Sequence, residues 1–284
     1  MKGKVVLLVF LLASCVESFA QTNTGLLDGI YVKENTQTRT PLSYPYLREA
    51  DVMWSKKIWR IIDLNEKINL PMKYPSSAST NDRKNLIDVL LNATKEGTLT
   101  AYDYMNDEFL LPITMKQVEE RGGSRVDTQR LMRADPPYDE YDTVIAKDFN
   151  FDDVVAFRVK EEWFFDKQRS VMEVRIIGLA PLIYAKDEQG NVREGNVRIP
   201  ICWFYYPECR KLLAGAETFN RQNDAERRTF DDIFQKRLFN SYIYKEANVY
   251  DRTIGDYKTG IATLYESEKI KGEIANLEHD MWEY

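Results

Sequence analysis

The chain has 284 residues, of which 44% are hydrophobic, 30% charged and 12% aromatic, and its net charge is −6. That length allows one large domain or two small ones. An acidic balance without a basic block argues against nucleic acid as a partner. A single histidine, His279, removes multi-histidine metal sites, and it removes Ser-His-Asp and Cys-His catalysis unless His279 is itself the base.

Lys2 and Lys4 precede the apolar run Val5–Ala13, which is too short to span a bilayer and reads as an export signal. Two processing readings compete. Ser18-Phe19-Ala20 sets up cleavage before Gln21, so that residues 1–20 are removed; Leu12-Ala13-Ser14-Cys15 is the pattern that precedes a lipid-modified Cys15. Residues 21–43 are polar and read as an extended arm. Residues 44–284 then form one α+β domain, divisible into sub-lobes 44–148 and 149–284.

The stretch Pro45–Leu64 places Ala50, Met53, Trp54, Ile58, Ile61 and Ile62 at helical spacing, with Ser43 and Pro45 as a start signal. It predicts an amphipathic helix whose other face carries Arg48, Glu49, Asp51, Ser55, Lys56, Lys57 and Arg60. Trp54 is assigned to the core. Trp59 lies one position off the apolar stripe and is assigned to a rim or a protein contact. Pro71, Pro75 and a serine run mark Asn65–Ser79 as a loop. A second helix follows from Ser79 or Thr80 to Lys95, with Leu86, Val89, Leu90 and Ala93 inward and Gly97 as its stop.

Leu99–Met105 reads as a short strand, and Thr114-x-x-Gln117 as a capping box whose helix ends at Gly122-Gly123. Residues 121–148 lack periodicity and read as a long loop. Period two then takes over. Val155, Phe157, Val159, Glu161, Trp163 and Phe165 share a strand face; Val171–Tyr184 is a second strand and Val197–Tyr206 a third, giving an antiparallel meander. Helices return over Pro207–Thr218 and Thr229–Ile243, with Phe230, Ile233, Phe234 and Leu238 inward. The last helix is Thr259–Trp282, with Ile261, Leu264, Tyr265, Ile274, Leu277 and Met281 inward.

No phosphate loop, G-x-G-x-x-G, G-x-S-x-G or C-x-x-C is present, and no cofactor or metal is implied. Asp148-x-Asn150-x-Asp152 begins like a calcium loop but has Asp153 where Gly is needed and Val159 where Glu is needed. Glu161 and Glu162 are strand neighbours on opposite faces, so they are no acid–base pair. Cys202 and Cys209 are seven apart with Pro207 between them; export permits a disulfide, and two buried thiols are the alternative.

Two long blocks, YVKENTQTRTPLSYPYLREADVMWSKKIWRIIDLNEKINLP and RLFNSYIYKEANVYDRTIGDYKTGIATLYESEKIKGEIANLEHDMWEY, resemble the opening and the C-terminal block of the GldN/PorN family. The resemblance implies a non-catalytic structural subunit of the gliding-motility and type IX secretion machinery. It implies a soluble periplasmic protein at the inner face of the outer membrane, self-associating in a ring with a GldK/PorK lipoprotein. It also implies contact with the periplasmic part of the GldM/PorM motor protein. No motif fixes the contact residues; the charged face Arg48, Lys56, Lys57 and Arg60, with Trp59 and the 21–43 arm, is the candidate. The competing class is a periplasmic glycan- or peptide-binding protein or carboxylate-dependent hydrolase, in which abundant Tyr and Trp line a sugar site.

Overall fold

A computed structural model describes residues 39–76, 83–132, 140–147, 149–187, 191–223 and 225–281. The signal, most of the arm, Ser79, Thr80 and Asp148 lie outside the described residues. The architecture is α+β, as the order of elements implies: six helices and an eight-stranded antiparallel sheet among the described residues.

The stretch expected as the opening helix is a strand. β1 runs Val52–Asp63 and pairs along almost its whole length with β6, Val154–Asp166. Its alternation is visible at the start, where Met53, Ser55 and Lys57 are exposed and Val52, Trp54 and Lys56 are half-buried. From Ile58 to Ile62 every residue is buried, because helices pack on one face there and, on the helix-free face, Tyr102, Phe109, Tyr242 and Tyr244 close over Trp59 and Ile61. Such a run no longer alternates and mimics one face of a helix.

β6 turns into β7, Val171–Tyr184, through a tight connection in which Asp166 accepts hydrogen bonds from Gln168 N at 2.8 Å and Arg169 Nε at 2.7 Å. The expected third strand is broken into β8, Arg198–Pro200, and β9, Trp203–Tyr205, both paired with β7. The sheet continues from β9 into β2, Ala101–Tyr102, and β3, Pro112–Ile113. At the other end β1 pairs with β12, Tyr242–Glu246.

The span predicted as a helix over Thr229–Ile243 therefore holds a short helix, a turn and a strand. The helix stops at Gln235, and Arg237 takes a left-handed φ of 52°. Leu238 consequently sits at the surface. Residues 121–148 are also corrected: their backbone forms a hairpin of β4, Arg125–Met132, and β5, Glu140–Lys147. A last two-residue pair, β10 (Glu217–Thr218) with β11 (Arg228–Thr229), precedes the Phe230 helix.

Helices cover one side of the sheet. α1 is Leu70–Lys73 and α2 is Leu86–Lys95, the latter capped by Asn85 rather than by Ser79 or Thr80: Asn85 Oδ1 accepts from Asp88 N at 2.7 Å. α3, Met115–Arg121, opens with the expected capping box, Thr114 N donating to Gln117 Oε1 at 2.9 Å. α4 is Tyr206–Gly215, α5 is Phe230–Gln235 and α6 is Ile261–Asp280. Leu86, Leu90, Leu213, Phe230 and Phe234 from these helices meet Ile62, Phe157, Val159, Leu179 and Phe204 of the sheet in the main core. Val155 departs from its expected face and packs with Ile61, Ala156 and Leu182, because the register shifts between Val154 and Ala156.

α6 builds a smaller cluster with Ile58, Ile243, Ile254, Ile270 and Ile274, on which Trp54 and Trp163 rest half-buried. Its buried side also includes Ser267. Ile261, Leu264 and Tyr265, expected inward, are exposed. Ser267 explains the difference: its Oγ accepts the Ile243 amide of β12 at 2.8 Å, which sets the helix rotation.

The described end of the arm and the two residues that follow it lie against the domain. Arg39 pairs with Asp232 at 3.1 Å, Gln235 Nε2 donates to Tyr44 Oη at 2.8 Å, and Arg175 Nη2 donates to Pro45 O at 2.8 Å. Arg210 stacks on the Tyr44 ring at 4.3 Å while pairing with Asp231 at 3.2 Å.

Candidate functional site

On β1, Ile58, Arg60 and Ile62 point one way and Trp59 and Ile61 the other. The second direction is the side of the sheet without a helix over it. The register lines up Lys245, Trp59, Lys160 and Gly178 across four strands, and beside them Tyr242, Ile61, Arg158 and Ala180. Lysine, arginine, tyrosine and tryptophan side chains thus stand in these rows, beside Ile61, Gly178 and Ala180, where a second apolar layer would usually pack.

Trp59 is the centre of the first row. It is 6% exposed, so it is no rim residue. Lys160 and Lys245 hold their ammonium groups 5.6 Å and 4.6 Å from its ring centroid. Such contacts contribute about 0.5–2 kcal/mol each. Two loops tie down this row. Asp107, between β2 and β3, accepts from Trp59 Nε1 at 2.6 Å, and its carbonyl oxygen accepts from Lys160 Nζ at 2.7 Å. Asp251, beyond β12, pairs with Lys245 at 2.6 Å. No feature of the sequence pairs Asp107 with Trp59, 48 residues away.

The loop between β2 and β3 is shaped for this task. Phe109 adopts a left-handed φ of 59° and lays its ring over Gly178, where a Cβ would stand 2.5 Å from Phe109 Cζ. The same ring meets Tyr102, Trp203 and Tyr205 edge-on at 5.4–6.2 Å. At the loop's base Asp103 accepts from Met105 N and from the Arg121 guanidinium; both hold its carboxyl below the usual range, the amide most. The tips carry large exposed apolar side chains: Met105, Leu110 and Leu111 on this loop, Val249 and Tyr250 on the loop after β12.

The second row is cationic and phenolic. Arg158 lies over Tyr244 at 4.5 Å, and Arg198 pairs with Asp63 at 2.6 Å and lies 5.9 Å from the Tyr184 ring. Burial pushes the Tyr242 and Tyr244 hydroxyls above the usual phenol value, so both stay neutral donors.

The residues expected to form one charged face are dispersed. Arg60 is 7% exposed on the helix-covered side and donates to Ser241 Oγ at 2.8 Å; it and Trp59 leave the surface. Lys56 is half-buried against Glu246 at 2.6 Å. Arg48 pairs with Asp51 at 2.7 Å, and Lys57 alone of the β1 members is exposed. The cause is the strand, which sends neighbours to opposite faces where a helix would have gathered them. Cys202 and Cys209 are both buried and free, and burial raises both thiols.

Two clefts lie elsewhere. One of about 310 Å³ is lined by Ile68, Met72, Phe219 and Arg228, and one of about 570 Å³ runs between α2 and α4 past Val89, Leu212 and Lys211. Neither is lined by a Trp or Tyr, so the sugar site anticipated for the competing class is not built at either. Among the described residues no group of three or more His, Cys, Asp or Glu is placed to hold a metal ion. No helix among them is long and apolar enough to cross a membrane.

These features define a mixed α+β protein that presents a helix-free sheet face and apolar loop tips. The family model described as gliding motility associated protein GldN matches residues 47–283, nearly the whole chain. The chain belongs to the GldN family, and with it to the gliding-motility and type IX secretion machinery. No curated protein sequence matches it.

Proposed function

We propose that the protein is a non-catalytic subunit of that machinery, working in the periplasm at the inner face of the outer membrane. It forms a ring with a GldK/PorK-like lipoprotein and touches the periplasmic part of a GldM/PorM-like motor protein. The family match over residues 47–283 carries this reading. The export signal at residues 1–20 supports the compartment. The helix-free sheet face supports the mode of action, since apolar side chains exposed at two loop tips beside such a surface are what a protein contact uses.

Affinity purification of the full-length protein from gently solubilised envelopes tests it. The lipoprotein and the motor protein are expected to come with it, in ring-shaped particles by electron microscopy. Recovery of the protein alone from every extraction would sink the proposal.

A further inference from the structure

Beside the exposed Lys57 at its edge, the helix-free sheet face holds four cations that are not fully exposed, Arg158, Lys160, Arg198 and Lys245. Three of them are paired, with Asp107, Asp63 and Asp251. Arg158 is the fourth. The residue is half-buried, its Nε is closed off from solvent without a hydrogen-bond partner, and no carboxylate stands within ion-pair distance among the described residues. The ring of Tyr244 lies 4.5 Å from its Cζ, which orients the group. Tyr242, neutral through burial, adds a hydroxyl close by.

We infer that Arg158 is the receptor for an Asp or Glu side chain of an extended segment of a partner protein, laid across the uncovered sheet face between the 103–111 and 248–252 loops. This rests on the reading of the protein as an assembly subunit and names the chemistry of the partner. A planar guanidinium presents two parallel N–H groups, the geometry that matches a carboxylate. The loops that hold Lys160 and Lys245 carry exposed apolar tips, Leu110 and Val249 among them, which would exclude water from such a pair. A polypeptide is favoured over an anionic lipid surface, because a membrane is held by clusters of about four to eight cations and the free ones on this face among the described residues are Arg158 and the exposed Lys57. The net charge of −6 opposes such a surface further.

A photo-cross-linking amino acid in place of Val249, in the full-length protein in native cells, tests the inference. The expected adduct is a peptide with an Asp or Glu near the linked position. Its yield should fall at least about tenfold in Arg158→Gln, and by less in Arg158→Lys, which keeps the charge but loses the paired N–H groups. Changing that acid to Arg in the partner should restore the adduct in Arg158→Glu. An adduct indifferent to Arg158→Gln would overturn the inference, as would adducts with lipid or glycan only, or Arg158-dependent flotation with phosphatidylglycerol vesicles. If the variants do not fold by circular dichroism, salt decides with the wild-type chain: a yield unchanged between low and about 1 M salt overturns it. Recovery of the machinery without an Arg158-dependent adduct defeats this inference alone. Failure to recover the machinery defeats the assembly reading.

Discussion

The two sides of the sheet are held by different forces. Beneath α2, α4 and α5 the contacts are apolar and fully buried, with Phe157, Leu179 and Phe204 closed to solvent. On the opposite side Trp59 and Tyr244 are kept in place by lysine, arginine and aspartate partners. The first side carries stability in proportion to area removed from water. The second carries orientation, since cation–ring and ion-pair contacts fix geometry while adding little energy in reach of solvent. A surface built that way holds its shape without an apolar second layer.

Breaking the first side should cost most. Phe204→Ala is expected to destabilise by about 3–5 kcal/mol, whereas Tyr184→Ala on the uncovered side should cost about 1 kcal/mol or less. Urea unfolding of the two variants measures the contrast, and equal losses would remove it. Gly178→Val comes next, at about 1–3 kcal/mol, because the added carbons meet the Phe109 ring. Protease nicking within residues 103–111 should rise in the same variant; an unchanged digestion pattern would argue against the clamp.

Asp107→Ala leaves Trp59 Nε1 unpartnered and removes the ion pair from Lys160, which is 5% exposed and keeps its bond to the Asp107 carbonyl oxygen. A loss of about 1–2 kcal/mol is expected, with a shift in tryptophan emission. The smallest effect concerns pH. Asp103 is held below its ordinary value, so its contribution is present above the unfolded pKa and disappears as pH falls through the lower folded one. Opening of the 103–111 loop should therefore increase below about pH 4, and Asp103→Asn should remove that dependence. Hydrogen exchange of the loop amides reads it; identical profiles for the two proteins would refute the assignment.

Much of the fold was legible from pattern alone. The β6–β7 hairpin, with its turn at Asp166, and the Thr114–Gln117 cap follow from local rules in which the deciding residues are neighbours. β1 was not legible, because Trp59-Arg60-Ile61-Ile62 is buried on both faces and its apolar spacing fits a helix as well as a strand. β12 was hidden for another reason: the break after Gln235 comes from a left-handed arginine, a conformation no residue type there announces. The uncovered face was least legible of all. Its lysines, tyrosines and Arg158 come together through strand register, and a register is a long-range fact that no single stretch contains.

The hydroxyl of Ser267 does more than orient the last helix. By taking up an amide of β12, the outermost strand on that flank, it withdraws a main-chain donor that a neighbouring molecule's strand would need for zipping on. Copies of this protein crowded beside one another are thereby denied an indiscriminate backbone seam at that flank. Whatever joins there has to be chosen by side chains, which is how a part of a machine avoids sticking to its own spares.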